Sequence, residues 1–135
     1  MTAIQNDPKI QGENFKQVYV PLPSETHADS HVTYIPNVFF DEIMPTLPPV
    51  AWAILTVFLR KLYGFHKNFD SISITQIAEA ANISERTVCR HLPRLQRSGL
   101  ILQVRQGGRT SAGKKYSSRW CMVAGKRIGF RKKTA

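Results

Sequence analysis

The chain has 135 residues, 42% of them hydrophobic, a formal net charge of +10 and two cysteines. That length fits one domain of ordinary size with arms, and the apolar content excludes a wholly disordered chain. Cys89 and Cys121 form no CxxC and no zinc-ligand spacing with the four histidines, so they read as reduced thiols, with no metal and no cofactor implied.

The charge is unevenly placed. All nine acidic residues lie at or before Glu85, whereas fourteen of the nineteen lysines and arginines follow it with no carboxylate among them. A solvated surface mixes its signs, so this half points to a polyanion. The longest apolar run, residues 50–59, is too short to span a bilayer and is followed at once by Arg60 and Lys61. No signal peptide opens the chain. The expectation is a cytoplasmic protein that binds a polyanion such as DNA and not a membrane.

Residues 1–32 are polar, contain Pro8, Pro21 and Pro23, and hold no sustained period, so they read as a flexible arm with at most a short extended piece at 18–20. The ordered domain is expected over 33–123. It opens on Tyr34-Ile35-Pro36-Asn37-Val38-Phe39-Phe40, where Asn37 can cap a short turn through Met44. Residues 49–65 predict the first full helix: Pro49 suits the first helical position, and Ala51, Ile54, Leu55, Phe58, Leu59 and Leu62 form a wide apolar face. Ser71-Ile72-Ser73 alternates like a short strand.

Residues 73–102 have the form of a helix-turn-helix. Ile77, Ala78, Ala81, Ile83, Val88, Leu92 and Leu95 recur at three- and four-residue steps, which puts them on the inner faces of two crossed helices. Asn82 tolerates the left-handed backbone that the turn requires, Ser84 can cap the second helix, and Gly99 is a natural stop. Pro93 falls inside that second helix. It cannot donate to the carbonyl of Cys89, so one kinked helix is expected there.

Residues 100–105 and 116–123 read as two strands joined by a loop rich in Gly, Ser, Arg and Lys, which makes a hairpin directly after the helix-turn-helix. The order helix, strand, helix, helix, strand, strand is that of a winged helix. The fold class is therefore expected to be mainly α with a small β-hairpin. Residues 124–135 read as a flexible basic tail.

In a helix-turn-helix the N-terminal half of the second helix enters the major groove. The candidate base-reading residues are Ser84, Glu85, Arg86, Thr87, Arg90 and Arg94. Arginine can bond guanine O6 and N7 together, and threonine can touch a thymine methyl or a phosphate. Glu85 can accept from cytosine N4 or serve only the helix dipole. From the wing, its returning strand and the tail, Arg105, Arg109, Lys114, Lys115, Arg119, Lys126 and Arg127 are expected to supply affinity through phosphates. No catalytic constellation is present: Asp41-Glu42 is an adjacent pair that cannot face one site, and Gly107-Gly108 does not open a helix. The chain is not expected to be an enzyme.

The runs YIPNVFF, RKLYGF and ISITQIAEAANISERTVCRHLPRLQRSGLI, across residues 33–104, resemble the N-terminal DNA-binding domain of phage replication proteins of the lambda O type. They are also similar to helix-turn-helix domains of plasmid replication initiators. The resemblance implies origin recognition: dimers on repeated inverted sites of double-stranded DNA, with replication proteins recruited through a separate C-terminal region. Here only a basic tail follows, which implies a minimal DNA-binding member or another role, such as a repressor of a mobile element. Either the first helix or the N-terminal arm can supply a homodimer interface.

Overall fold

The computed structural model describes residues 15–29 and 31–131. In chain order the elements are β1 (Phe15–Val20), a 3-10 turn (Pro23–Glu25), a π-helical turn (Phe39–Ile43) running into a second 3-10 turn (Met44–Thr46), and helix α1 (Pro49–Leu62). Then come β2 (Ser71–Ser73), α2 (Ile74–Ala81), α3 (Glu85–Arg97), β3 (Ile101–Arg105), β4 (Gly108–Arg109), β5 (Lys115–Tyr116), β6 (Arg119–Met122) and β7 (Lys126–Arg131).

The core is built around α1. Pro48 sits at its N-cap and Pro49 supplies the preset φ of a first turn. Ala51, Ile54, Leu55, Val57, Phe58, Leu59 and Leu62 are all buried, which is more than one stripe of the helix. Both α2 and α3 pack against it. The π-helical turn adds Phe39 and Ile43 to the same core. Asn37 does not cap this turn through its side chain; its backbone carbonyl accepts from the amides of Phe40 and Asp41. Of the two adjacent phenylalanines, Phe39 is fully buried against Tyr63, and Phe40 is half-exposed with its ring edge on Trp52.

The helix-turn-helix forms as its residues dictate. Ser73 and Gln76 make a reciprocal capping box for α2, with the Gln76 amide donating to Ser73 Oγ at 3.2 Å and the Ser73 amide to Gln76 Oε1 at 3.0 Å. Asn82 ends α2 at φ 56°, ψ 48°. Ser84 Oγ then accepts from the Thr87 amide at 3.1 Å. Helix α3 runs unbroken through Pro93, one helix and not two. Pro93 is exposed and has no N–H to give the Cys89 carbonyl.

Strands β2, β6 and β3 form an antiparallel sheet in that spatial order. Ser71 to Ser73 pair with Cys121 to Arg119, and Ile101 to Gln103 pair with Met122 to Trp120. A bulge at Val104 brings Arg105 opposite Arg119. The segment between these strands is not a plain loop. β4 and β5 pair with each other, and Gly113 (φ 87°) turns the tip.

One expectation is corrected. Segments read as a flexible arm and a flexible tail pair with each other: β1 and β7 are antiparallel, from Phe15 opposite Arg131 to Val20 opposite Lys126. Val18, Val20 and Ile128 enter the core. Each strand carries several polar residues, and its partner lies more than a hundred residues away. Residues 1–14 and 132–135 lie outside the described residues. Among the described residues the fold is mixed α/β, with the expected helices and small antiparallel sheet joined by this second sheet.

Candidate nucleic-acid interface

The exposed side of α3 presents Arg86 and Arg90 four residues apart, one turn of the helix. Neither makes a hydrogen bond or ion pair within the described residues, where Lys67–Asp70 is the salt bridge found. Their donors are therefore available to an outside acceptor. The other residues of the helix set are engaged. Thr87 Oγ1 shares a hydrogen with Ser84 Oγ at 2.8 Å, so both hydroxyls are committed to the cap. Arg94 Nη2 donates to the Thr46 carbonyl at 3.0 Å, which turns it toward the 3-10 turn beside α3. His91 Nδ1 lies 3.0 Å from the Thr87 carbonyl of its own helix.

Glu85 has a role beyond the helix dipole. Its Oε2 accepts from Thr75 Oγ1 at 3.2 Å, and Thr75 Oγ1 lies 2.9 Å from Ser117 Oγ. Arg105 Nη2 donates to the Ser117 carbonyl at 3.0 Å and its guanidinium lies 4.7 Å from the Tyr116 ring centroid. One polar chain therefore joins the start of α3, the start of α2 and the root of the hairpin. Thr75, Ser117 and Tyr116 were not singled out from sequence. Their only signal is polar or aromatic character at element ends, which turns share.

At the hairpin root two arginines oppose each other across β3 and β6, an unfavourable pairing unless each is held aside. Arg105 is held by Ser117 and Tyr116. Arg119 donates through Nε to Ser71 Oγ at 3.1 Å and through Nη2 to the Ser71 carbonyl at 2.8 Å. Arg119 thus ties β6 to β2 through its Nε and one Nη. At the tip, the Arg109 guanidinium donates to the Gly113 carbonyl at 3.2 Å, while Lys114 and Lys115 are exposed. The glycines at 107 and 108 serve the hairpin itself. A Cβ on Gly107 would come within 2.9 Å of the Ser118 amide, and one on Gly108 within 3.1 Å of the Tyr116 hydroxyl. Lys126 and Arg127 lie in β7, in a sheet separate from the hairpin.

Among the described residues no cluster of His, Cys, Asp or Glu could hold a metal ion, and no helix is long and apolar enough to cross a membrane. What the site offers, among the described residues, is two unpaired arginines on one helix and two exposed lysines on a hairpin tip, with a hydrogen-bonded hub between the helix start and the hairpin root. Such an arrangement can donate to anionic oxygens and to acceptor atoms on base edges.

No curated protein and no solved structure matches the chain. Residues 28–120, from ahead of the YIPN segment to Trp120 in β6, match bacteriophage replication protein O. The match takes in α1, the helix-turn-helix and the hairpin, well over half of the chain, and by it the chain belongs to the bacteriophage replication protein O family.

Proposed function

We propose that this chain is a winged-helix protein that binds specific sites on double-stranded DNA and acts in the initiation of phage replication. The observation that carries this reading is the state of Arg86 and Arg90: two arginines one turn apart near the start of α3, exposed and unpaired among the described residues, while their neighbour Glu85 is anchored inward to Thr75. Placed in a major groove, both guanidiniums face guanine O6 and N7, and the Lys114–Lys115 tip reaches the backbone. The helix-then-hairpin topology, with β6 between β2 and β3, supports the winged-helix assignment. Family membership supports an origin as the target and replication proteins as further partners. A homodimer suits inverted sites.

The test is to map the fragments of a phage genome that the protein retains. An array of repeats at an origin is the expected result. A single operator over a promoter would instead identify a transcriptional regulator, and equal retention of all fragments would remove sequence specificity.

A further inference from the structure

The loop between α1 and β2 carries the two most exposed large apolar side chains among the described residues, Phe65 at 55% and Phe69 at 60%. The loop is pinned. The Lys67 amide donates to the Leu62 carbonyl at 2.8 Å, and Asn68 Oδ1 accepts from the Ser24 amide at 3.0 Å. His66 Nε2 lies 2.6 Å from the Thr26 carbonyl and holds a left-handed backbone at φ 57°. The rings are therefore held outward by a fixed frame. Two cations flank the first of them: the Arg60 guanidinium lies 4.6 Å and the Lys67 ammonium 5.7 Å from the Phe65 ring centroid. Lys61 follows Arg60, and Asp70 is the one carboxylate of the loop, 3.9 Å from Lys67.

The sheet register separates this loop from the proposed duplex-binding side. Strand β2 begins at Ser71 opposite Cys121 and ends at Ser73 opposite Arg119, and the hairpin tip lies beyond Arg119. The loop precedes Ser71, so it leaves the sheet at the opposite end. A duplex on α3 and the hairpin leaves Phe65 and Phe69 uncovered.

Protruding rings interleaved with cations suit a ligand with exposed aromatic faces and a regular negative charge. Duplex DNA does not present such faces, because its bases are stacked on one another. An unpaired strand presents one per nucleotide, and bases stack on phenyl rings and on guanidinium planes alike. We propose that Phe65, Phe69 and Arg60 form a site for single-stranded DNA, with bases stacked on the rings and Arg60, Lys61 and Lys67 holding phosphates. This site is independent of the duplex-binding reading of α3.

The test is fluorescence anisotropy of a labelled oligo(dT) with the full chain and with Phe65→Ala, Phe69→Ala, the double variant and Phe69→Trp. Each alanine change should weaken oligo(dT) binding about fivefold or more, Phe69→Trp should retain it, and duplex affinity should not move. Arg86→Ala with Arg90→Ala should leave oligo(dT) binding intact. Both rings are exposed, so circular dichroism should show unchanged folding. As a second measurement, an iodouracil-substituted oligonucleotide should photo-cross-link the wild-type chain at this loop. Wild-type protein that ignores oligo(dT), or a double variant that binds it as tightly as wild type, overturns the proposal. Loss of concentration-dependent sedimentation in the double variant, without oligo(dT) binding by wild type, also overturns it and gives the rings to a second copy of the chain.

Discussion

At the scale of single residues, exposure and engagement divide the basic side chains. Arg86→Ala or Arg90→Ala should reduce discrimination between cognate and random duplex by about 1–3 kcal/mol, measured by competition binding. Arg119→Ala should act differently, since its guanidinium bonds Ser71: it should lower thermal stability and leave discrimination unchanged. Gly125 stands at φ 77°, where a Cβ would meet Leu22 Cδ2 at 2.7 Å, so Gly125→Ala should cost about 1–3 kcal/mol in denaturant unfolding. Tyr63 introduces a pH dependence. Burial, then the nearby Glu25 charge, pushes its phenol well above the usual tyrosine range, and its hydroxyl donates to the Pro21 carbonyl. Its folded pKa is raised, so the unfolded chain loses the proton first. Stability contributed by Tyr63 is therefore complete below the usual tyrosine pKa of about 10 and falls as pH rises beyond it. Tyr63→Phe should flatten that alkaline decline in a pH series of thermal melts.

At the scale of elements, helix α3 combines a sound start with an internal fault. Ser84→Ala removes the acceptor for the Thr87 amide and should cost about 1 kcal/mol. Pro93→Ala restores a donor to the Cys89 carbonyl and removes the ring's crowding, and should stabilise by up to about 3 kcal/mol in thermal unfolding. The cap, the αL turn at Asn82 and the inner face of the helix pair were readable from sequence, because each rests on residues within a few positions of one another. The hub from Glu85 through Thr75 to Ser117 was not, since Thr75 and Ser117 are 42 residues apart and neither has a distinctive neighbourhood. The hairpin was readable as two strands, but the β4–β5 pairing that stiffens its tip rests on just two residues per strand. If Lys114 and Lys115 at that tip contact phosphates, replacing either by alanine should lower the slope of log affinity against log salt by about 0.9 and weaken all duplexes equally.

At the scale of the whole molecule, the helical core was legible and the closure of its two ends was not. Hydrophobic period marks α1 and the helix-turn-helix, whereas β1 and β7 contribute only Val18, Val20 and Ile128 to the core. Deleting 126–135 would therefore uncover Val18 and Val20 as well as removing charge, and a loss of DNA binding by that deletion would not measure charge alone. Ile128→Ala isolates the structural part and should cost about 2–5 kcal/mol. The pairing of Phe15 with Arg131 also constrains the order in which the chain can fold. The contacts within α1, the helix-turn-helix and the central hairpin are available once the polypeptide has been made as far as Met122. The β1–β7 ribbon joins positions more than a hundred residues apart and closes the largest loop in the described chain, a slow step that comes after local structure has formed. During synthesis β1 must wait, unpaired, for β7 to leave the ribosome, with Val18 and Val20 exposed in the nascent chain until it does.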